Sequence, residues 1–300
     1  SAPTVAKVAP QEANKLGKEL TYFGAVQSGN DQGTIPRYEG GLKEDQSANP
    51  LAIRFEQDKP LFTITSDNLE KYKDKLTDGQ LALFAKYPDT YKMPIYQTRR
   101  TAAYPNSLYE KVKKNATSAE LVDNGNGLSN FDEIVPFPIP KNGVEVIWNH
   151  MSRFRGGSVE RNLAILPVQR NGAFTAVKVR AQLTTPQYLE EGFDQKSDDN
   201  ILFYYRSSVK EPARLTGDVL LVHETIDQIE QPRMAWNYNA GQRRVRRAPQ
   251  IAYDAPAQAS DGLRTSDQVD MYNGAPNKYD WKLLGKQEMY IPYNAYKLAD

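Results

Sequence analysis

Between Val177 and Leu183 the chain alternates apolar and polar side chains without a break. Val177, Val179, Ala181 and Leu183 oppose Lys178, Arg180 and Gln182. A period of two marks a β-strand with one dry face and one wet face, because successive side chains of an extended chain point to opposite sides. Comparable runs recur at Ile201 to Arg206, Asp218 to Glu224, Met234 to Asn239 and Tyr279 to Tyr290. The connections contain Gly, Pro, Asn and Asp and hold no long helical stretch. The strands are therefore expected to pair antiparallel, and a parallel sheet with crossover helices is disfavoured.

Upstream of Val159 the period is helical. Asp67 with Glu70, Thr77 with Gln80, Ser107 with Glu110 and Asn142 with Glu145 stand at capping-box spacing, where two side chains satisfy the first free N–H groups of a helix. Helices are expected over Pro10 to Leu20, from Thr77 to Pro88, after Ser107 and after Asn142. In the last of these Val144, Ile147, Trp148, Met151 and Phe154 form one stripe that Gly156 and Gly157 end. Gly29 to Gly41 reads as a turn-rich loop. In Val135-Pro136-Phe137-Pro138-Ile139-Pro140 alternate prolines remove amide donors and fix φ, which predicts an extended strap. The reading is an α+β fold in a single domain over 1–300. A helix- and loop-rich half (1–158) packs on one face of a strongly twisted antiparallel sheet (159–300), which a polar loop at 255–278 interrupts.

Composition narrows the chemistry. Thirty-eight basic against 37 acidic residues give a net charge of +1, so no global field draws the chain to nucleic acid. Without cysteine there is no disulfide, thiol nucleophile or iron–sulfur cluster, and two histidines argue against an imidazole-rich metal site. No apolar run reaches the length of a membrane-spanning helix. His223 and Glu224 are adjacent in a strand, so they face opposite ways and form no dyad; His223 shares the Val219/Leu221 face and reads as a core or cavity-rim residue. His150 lies off its helix's apolar stripe and reads as a surface or capping residue. Asp123-Asn124-Gly125-Asn126-Gly127 fails as a calcium loop because Gly125 occupies the third ligand position. Asn115-Ala116-Thr117 matches the glycosylation pattern, a match too short to carry weight. No G-x-S-x-G elbow occurs. The expectation is a binding protein rather than an enzyme, with no catalytic residues, metal or cofactor.

The conspicuous local signal is Met234 to Pro249, MAWNYNAGQRRVRRAP. Trp236 and Tyr238 alternate on one strand, Ala240-Gly241 turns, and Arg243, Arg244, Arg246 and Arg247 return on the next. Two readings stay open: a fork of donors for phosphate or carboxylate groups, or arginines paired with acidic neighbours and stacked on tyrosines. This hairpin resembles that of exported proteobacterial proteins of the domain of unknown function 1329 family. The resemblance extends to Asp31-Gln32-Gly33-Thr34-Ile35-Pro36, Pro136-Phe137-Pro138-Ile139-Pro140 and Tyr279-Asp280-Trp281-Lys282-Leu283, and covers nearly the whole chain. It is also similar to outer-membrane-lipoprotein-sorting proteins. That resemblance implies a curved half-barrel sheet holding a hydrophobic guest under helices, and a chain that continues past Asp300. It brings no catalytic residues.

Together these observations lead to one expected function, a periplasmic carrier for a lipid or other hydrophobic ligand. The opening Ser1-Ala2-Pro3-Thr4, small residues without Met, is read as the trace of a removed signal peptide. Tyrosine outnumbers phenylalanine, 18 to 10, and suits surfaces that meet both oil and water. Val177, Val179, Phe203, Tyr205, Val219, Leu221, Trp236 and Tyr238 are expected on one concave, ligand-facing side, with Arg244 and Arg246 for a head group or partner. The alternative is a periplasmic adaptor that docks an inner-membrane exporter or an outer-membrane protein through the arginine hairpin and has no ligand cavity.

Overall fold

The computed structural model describes residues 7–43, 54–192, 194, 198–248 and 253–293; Ser1 to Thr4 and Pro249 lie outside them. Two compact units emerge: Ser1–Asn14 with Asn106–Leu283, and Lys15–Pro105 with Leu284–Asp300. The boundary thus falls at 105/106 rather than at the change of period near 158, and the later helices share a unit with the sheet.

The first expected helix is a single turn, α1 (Pro10–Ala13). Gly17 ends any continuation: its φ is +77°, and a Cβ there would sit 2.8 Å from the Tyr22 ring. In the 15–105 unit, strands β1 (Phe62–Ile64) and β2 (Met93–Ile95) pair antiparallel, with helix α2 (Asp78–Lys86) between them in sequence. The Thr77/Gln80 box forms as read: Thr77 N donates to Gln80 Oε1 at 2.8 Å and Gln80 N to Thr77 Oγ1 at 3.2 Å. The Asp67/Glu70 spacing does not cap. Thr65 and Asn68 exchange those bonds instead, opening a 3-10 turn at Ser66–Lys71. Ile64, Leu76, Phe84 and Met93 form this unit's core. Tyr290 joins it edge-on to Phe62 and Tyr72 and accepts from Gln80 Nε2 at its carbonyl.

In the other unit α3 (Asn106–Ser118) begins one residue before Ser107, and a small hairpin of β3 (Glu120–Val122) and β4 (Gly127–Ser129) follows. Asn115 is 1% exposed and ties the next loop, donating to Ile134 O at 2.7 Å and accepting from Asp132 N at 2.8 Å. A side chain so enclosed is not a glycan acceptor. Helix α4 (Gly143–Met151) opens on the expected cap, Glu145 N to Asn142 Oδ1 at 2.9 Å. Gly143 lies so close to the Trp281–Lys282 backbone that a Cβ would meet Trp281 C at 2.5 Å. The proline strap is largely buried but is not the extended run expected, since Val135 has φ +34° and the chain bends at Pro136, Pro138 and Ile139; Asn149 clamps it to α4. Phe137 N donates to Asn149 Oδ1 at 2.8 Å, and Asn149 Nδ2 donates back to Phe137 O at 2.6 Å.

Six strands then form one sheet in sequence order: β5 (Ser158–Ile165), β6 (Val177–Thr184), β7 (Ile201–Glu211), β8 (Val219–Thr225), β9 (Met234–Asn239) and β10 (Arg244–Arg247). Every neighbouring pair is antiparallel. The sheet does not close on itself, so the fold is α+β with an open antiparallel meander. Trp148 and Met151 of α4 pack with Phe137, Leu183, Leu202 and Phe203 against one face.

The expected strand at Tyr279 to Tyr290 does not form. Tyr279 and Trp281 close a ring cluster with Tyr272, with centroids 4.9–5.8 Å apart, and Trp281 Nε1 donates to Pro276 O at 2.8 Å. The alternation of aromatics there serves ring packing, and the chain passes from one unit to the other at Leu283/Leu284.

Candidate functional site

Register decides which side chains share a face. Leu183 pairs with Tyr205, Val179 with Val209, and Tyr205 in turn with Val222. One face therefore carries Val177, Val179, Ala181 and Leu183, then Phe203, Tyr205, Ser207 and Val209. Leu220 and Val222 continue it, followed by Ala235 and Asn237 of β9. This is the face that the helices and the 253–276 segment cover. Val177, Val179 and Phe203 are 3%, 5% and 6% exposed, packed by the protein's own side chains.

The eight apolar residues expected on one side divide accordingly. Val177, Val179, Phe203 and Tyr205 lie on the covered face. Val219, Leu221, Trp236 and Tyr238 lie on the other, because Arg206 pairs with Leu221 and Val219 with Tyr238. Alternation within a strand fixes in and out, but the phase between strands is set by pairing. A register shift between Ile201 and Phe203 adds to the difficulty, placing both Leu202 and Phe203 in the core.

On the second face Tyr204, His223 and Trp236 line up edge to face, with centroids 4.8 and 4.9 Å apart. His223 does share this face with Val219 and Leu221. Tyr204 donates to Asp198 Oδ1 at 2.6 Å, and burial followed by that carboxylate raises its phenol above the ordinary range. Burial also holds the His223 ring below the ordinary histidine value of 6.5. The folded protein thus prefers neutral His223, and stability present above that value is lost as pH falls below it. In urea unfolding, wild type is expected to lose more stability between about pH 7.5 and about pH 5.5 than His223→Phe does; equal losses would contradict this assignment.

A cavity of about 500 Å³ opens beside the covered face at the β8–β10 end. Leu220, Asn237, Tyr238 and Asn239 form its sheet wall, and Ala255, Pro256 and Gln258 form the opposite wall. That opposite wall is a built element rather than a loose polar loop. Pro256 bridges Thr265, Ala257 N donates to Arg264 O at 3.0 Å, and Ser266 Oγ donates to Ala255 O at 2.9 Å. Gln258 is held by Ser207 Oγ at 3.2 Å. Tyr238 is the expected site residue that borders this cavity, although by register its side chain belongs to the opposite face from Leu220 and Asn237.

Arg244 and Arg246 pair with Asn239 and Asn237, which puts both arginines on the cavity's side of the sheet and next to its wall. Arg247 pairs with Trp236 and belongs to the opposite face. Arg246 donates to Gln242 Oε1 at 2.9 Å. Among the described residues none of Arg243, Arg244, Arg246 and Arg247 has a carboxylate within ion-pair distance. Of the two readings of this hairpin, pairing with acidic neighbours is not the one realised.

Sequence reasoning missed the strongest polar cluster. Glu224 is 2% exposed and accepts from Arg233 Nε at 2.9 Å, while Arg233 Nη2 lies 2.7 Å from its other oxygen. Asn273 Nδ2 donates to Glu224 Oε2 at 3.0 Å, and Arg233 Nη2 donates to Asn273 O at 2.6 Å. The cluster fixes β8 to the segment beyond the cavity's outer wall. Nearby, burial lowers the Arg155 guanidinium to about 10, and it sits over the Phe203 ring at 5.4 Å beside Asp270. His150 Nε2 meets Asp270 O at 2.8 Å. A solitary acidic residue in an alternating strand gave no sign of a partner nine positions later. Among the described residues no helix is long and apolar enough to cross a membrane.

Comparison with known proteins places the chain in a family. An uncharacterised Pseudomonas aeruginosa protein, PA3922, is 54% identical over 300 residues, covering 99% of this chain. The chain spans 66% of that relative's length. A DUF1329 family protein from Desulfovibrio piger, whose crystal structure is known at 1.75 Å, aligns with a TM-score of 0.31 at 20% identity over 43% of this chain and 47% of that one. A putative outer membrane lipoprotein-sorting protein domain from Vibrio parahaemolyticus aligns with a TM-score of 0.32 at 18% identity, over 46% and 50%. The model of the family described as protein of unknown function (DUF1329) matches residues 63–300, and the chain belongs to that family.

Proposed function

We propose that this protein binds a hydrophobic small molecule in the cavity between β8–β9 and the 255–266 segment, and acts as its carrier in the periplasm. The observation that carries the reading is the cavity itself. Its volume of about 500 Å³ lies within the range of roughly 300–1,000 Å³ typical of small-molecule sites. Leu220, Ala248, Ala255 and Pro256 offer apolar surface, Asn237, Asn239, Gln258 and Ser266 supply polar groups to orient a guest, and the Asp218 carboxylate that also lines the space accepts from Ala240 N at 2.8 Å. Burial gains about 0.8 kcal/mol per methylene, so a ten-carbon chain supplies about 8 kcal/mol before the entropic cost of association. No covalent chemistry is needed for binding of that kind. The adaptor reading called for a molecule with no ligand-sized cavity, and the cavity does not favour it.

Filling the space tests the proposal. Leu220→Trp is expected to weaken binding of the neutral fluorescent probe N-phenyl-1-naphthylamine at least tenfold, or about 1.4 kcal/mol. Val219→Trp, one residue away on the opposite face, is expected to leave it unchanged. Circular dichroism verifies that both variants fold. Absence of probe binding by wild type, or equal binding by Leu220→Trp, would overturn the proposal.

A further inference from the structure

We infer that the guest carries an anionic head, a carboxylate or a phosphate, which Arg244 and Arg246 receive at the mouth of the cavity. The inference rests on the cavity reading above and deepens it by naming the ligand's chemical class.

Three observations converge. First, β10 holds Arg244 and Arg246 on one face two residues apart, a spacing of about 7 Å along a strand. Like charges so close repel, and an anion between them removes the repulsion. Second, among the described residues neither guanidinium has a carboxylate partner or stands over an aromatic ring. The sequence contains 37 acidic residues, and several other arginines do find one: Arg99 pairs with Asp58, Arg180 with Glu160, and Arg233 with Glu224. Arg161, Arg170, Arg206, Arg214 and Arg264 likewise have none among the described residues, so what distinguishes the hairpin pair is its place next to the cavity wall. Third, the cross-strand neighbours of these two arginines are Asn239 and Asn237, both of which line the cavity. Both arginines therefore stand across the strand pair from carboxamides of the cavity wall, which also includes Asp218, and apolar Ala255 and Pro256 lie on the facing wall. A molecule that fits has an apolar tail and one compact anionic end. The guanidinium fork suits both carboxylate and phosphate, since each presents two oxygens to parallel N–H donors.

Arg247 supplies the internal control. It lies on the same strand with the same charge but belongs to the opposite face, paired with Trp236. A role limited to charging a sheet edge against association would make the three arginines equivalent.

The test measures binding of decanoate, decyl phosphate and decanol by calorimetry to wild type, to R244Q/R246Q and to R247Q. Decanoate or decyl phosphate is expected to bind wild type at least tenfold tighter than decanol, and whichever binds tighter identifies the head group. R244Q/R246Q is expected to bring the anion down to the affinity of decanol and to abolish its salt dependence. R247Q is expected to match wild type within twofold. Decanol binding as tightly as the anions would overturn the head-group inference while leaving the cavity proposal standing. Equal loss in R247Q and R244Q/R246Q would also overturn it, as general charge and not position would then matter. Binding of none of the three would overturn both.

Discussion

Replacing Trp148 by alanine is expected to destabilise the protein by about 3–5 kcal/mol, the range for truncating a large buried aromatic. Trp148 is 0% exposed and sits where α4 meets the sheet, among Phe137, Met151, Leu183 and Phe203. Its indole Nε1 donates to Gly125 O at 2.9 Å, so truncation opens a void and also leaves a buried carbonyl unpartnered. Phenylalanine at the same position fills most of the void but cannot make the bond, and is expected to recover a large part of the loss. Urea unfolding measures both variants. A loss under about 1 kcal/mol for Trp148→Ala would mean that α4 is not the element that covers the sheet.

Glu224→Ala is expected to cost a similar amount, about 3–5 kcal/mol, for an electrostatic reason. The Glu224 and Arg233 side chains are each 3% exposed. Removing the carboxylate strands a guanidinium in the interior and takes an acceptor from Asn273 Nδ2. Removing both charges is a different experiment, because apolar side chains of similar volume are often neutral or stabilising in place of a buried pair. The double variant Glu224→Met/Arg233→Met is therefore expected to be more stable than Glu224→Ala alone. Chemical denaturation of the single and double variants measures the difference. A double variant as unstable as the single one would show that the hydrogen bonds to Asn273, and not the stranded charge, dominate.

Local features were the most legible in the sequence. The Thr77 and Asn142 caps need only side chains three residues apart, and both form as spaced. The strand at 177–184 was readable from alternation, which its burial follows residue by residue, and those at 219–225 and 234–239 were read the same way, whereas 201–211 buries Ile201 to Phe203 and Ser207 to Val209 in runs of three. Strand phase was not readable. Whether Leu220 or Leu221 faces the covered side depends on pairing with Ser207 and Arg206, thirteen and fifteen residues away. That pairing puts Val219, Leu221, Trp236 and Tyr238 on the other face from Val177 and Val179. Tyr279 to Tyr290 shows the reverse limit: alternation was present, but rings and not strands used it.

The candidate site was half legible for the same reason. The arginine hairpin stood out by composition, and the register pairs Arg244 and Arg246 with Asn239 and Asn237 of the cavity wall. The cavity's outer wall did not stand out, because the bridge between Pro256 and Thr265 and the bonds of Ser266 join residues with no periodic pattern. The Glu224–Arg233–Asn273 cluster was invisible because Asn273 lies 49 positions from Glu224.

The most direct test of the central claim is a crystal structure of the protein grown with decanoate. The account predicts density for an extended chain between Leu220 and the Ala255–Pro256 wall, its carboxylate toward Arg244 and Arg246. A cavity holding only ordered water at saturating decanoate, or closed by its own side chains, would contradict it.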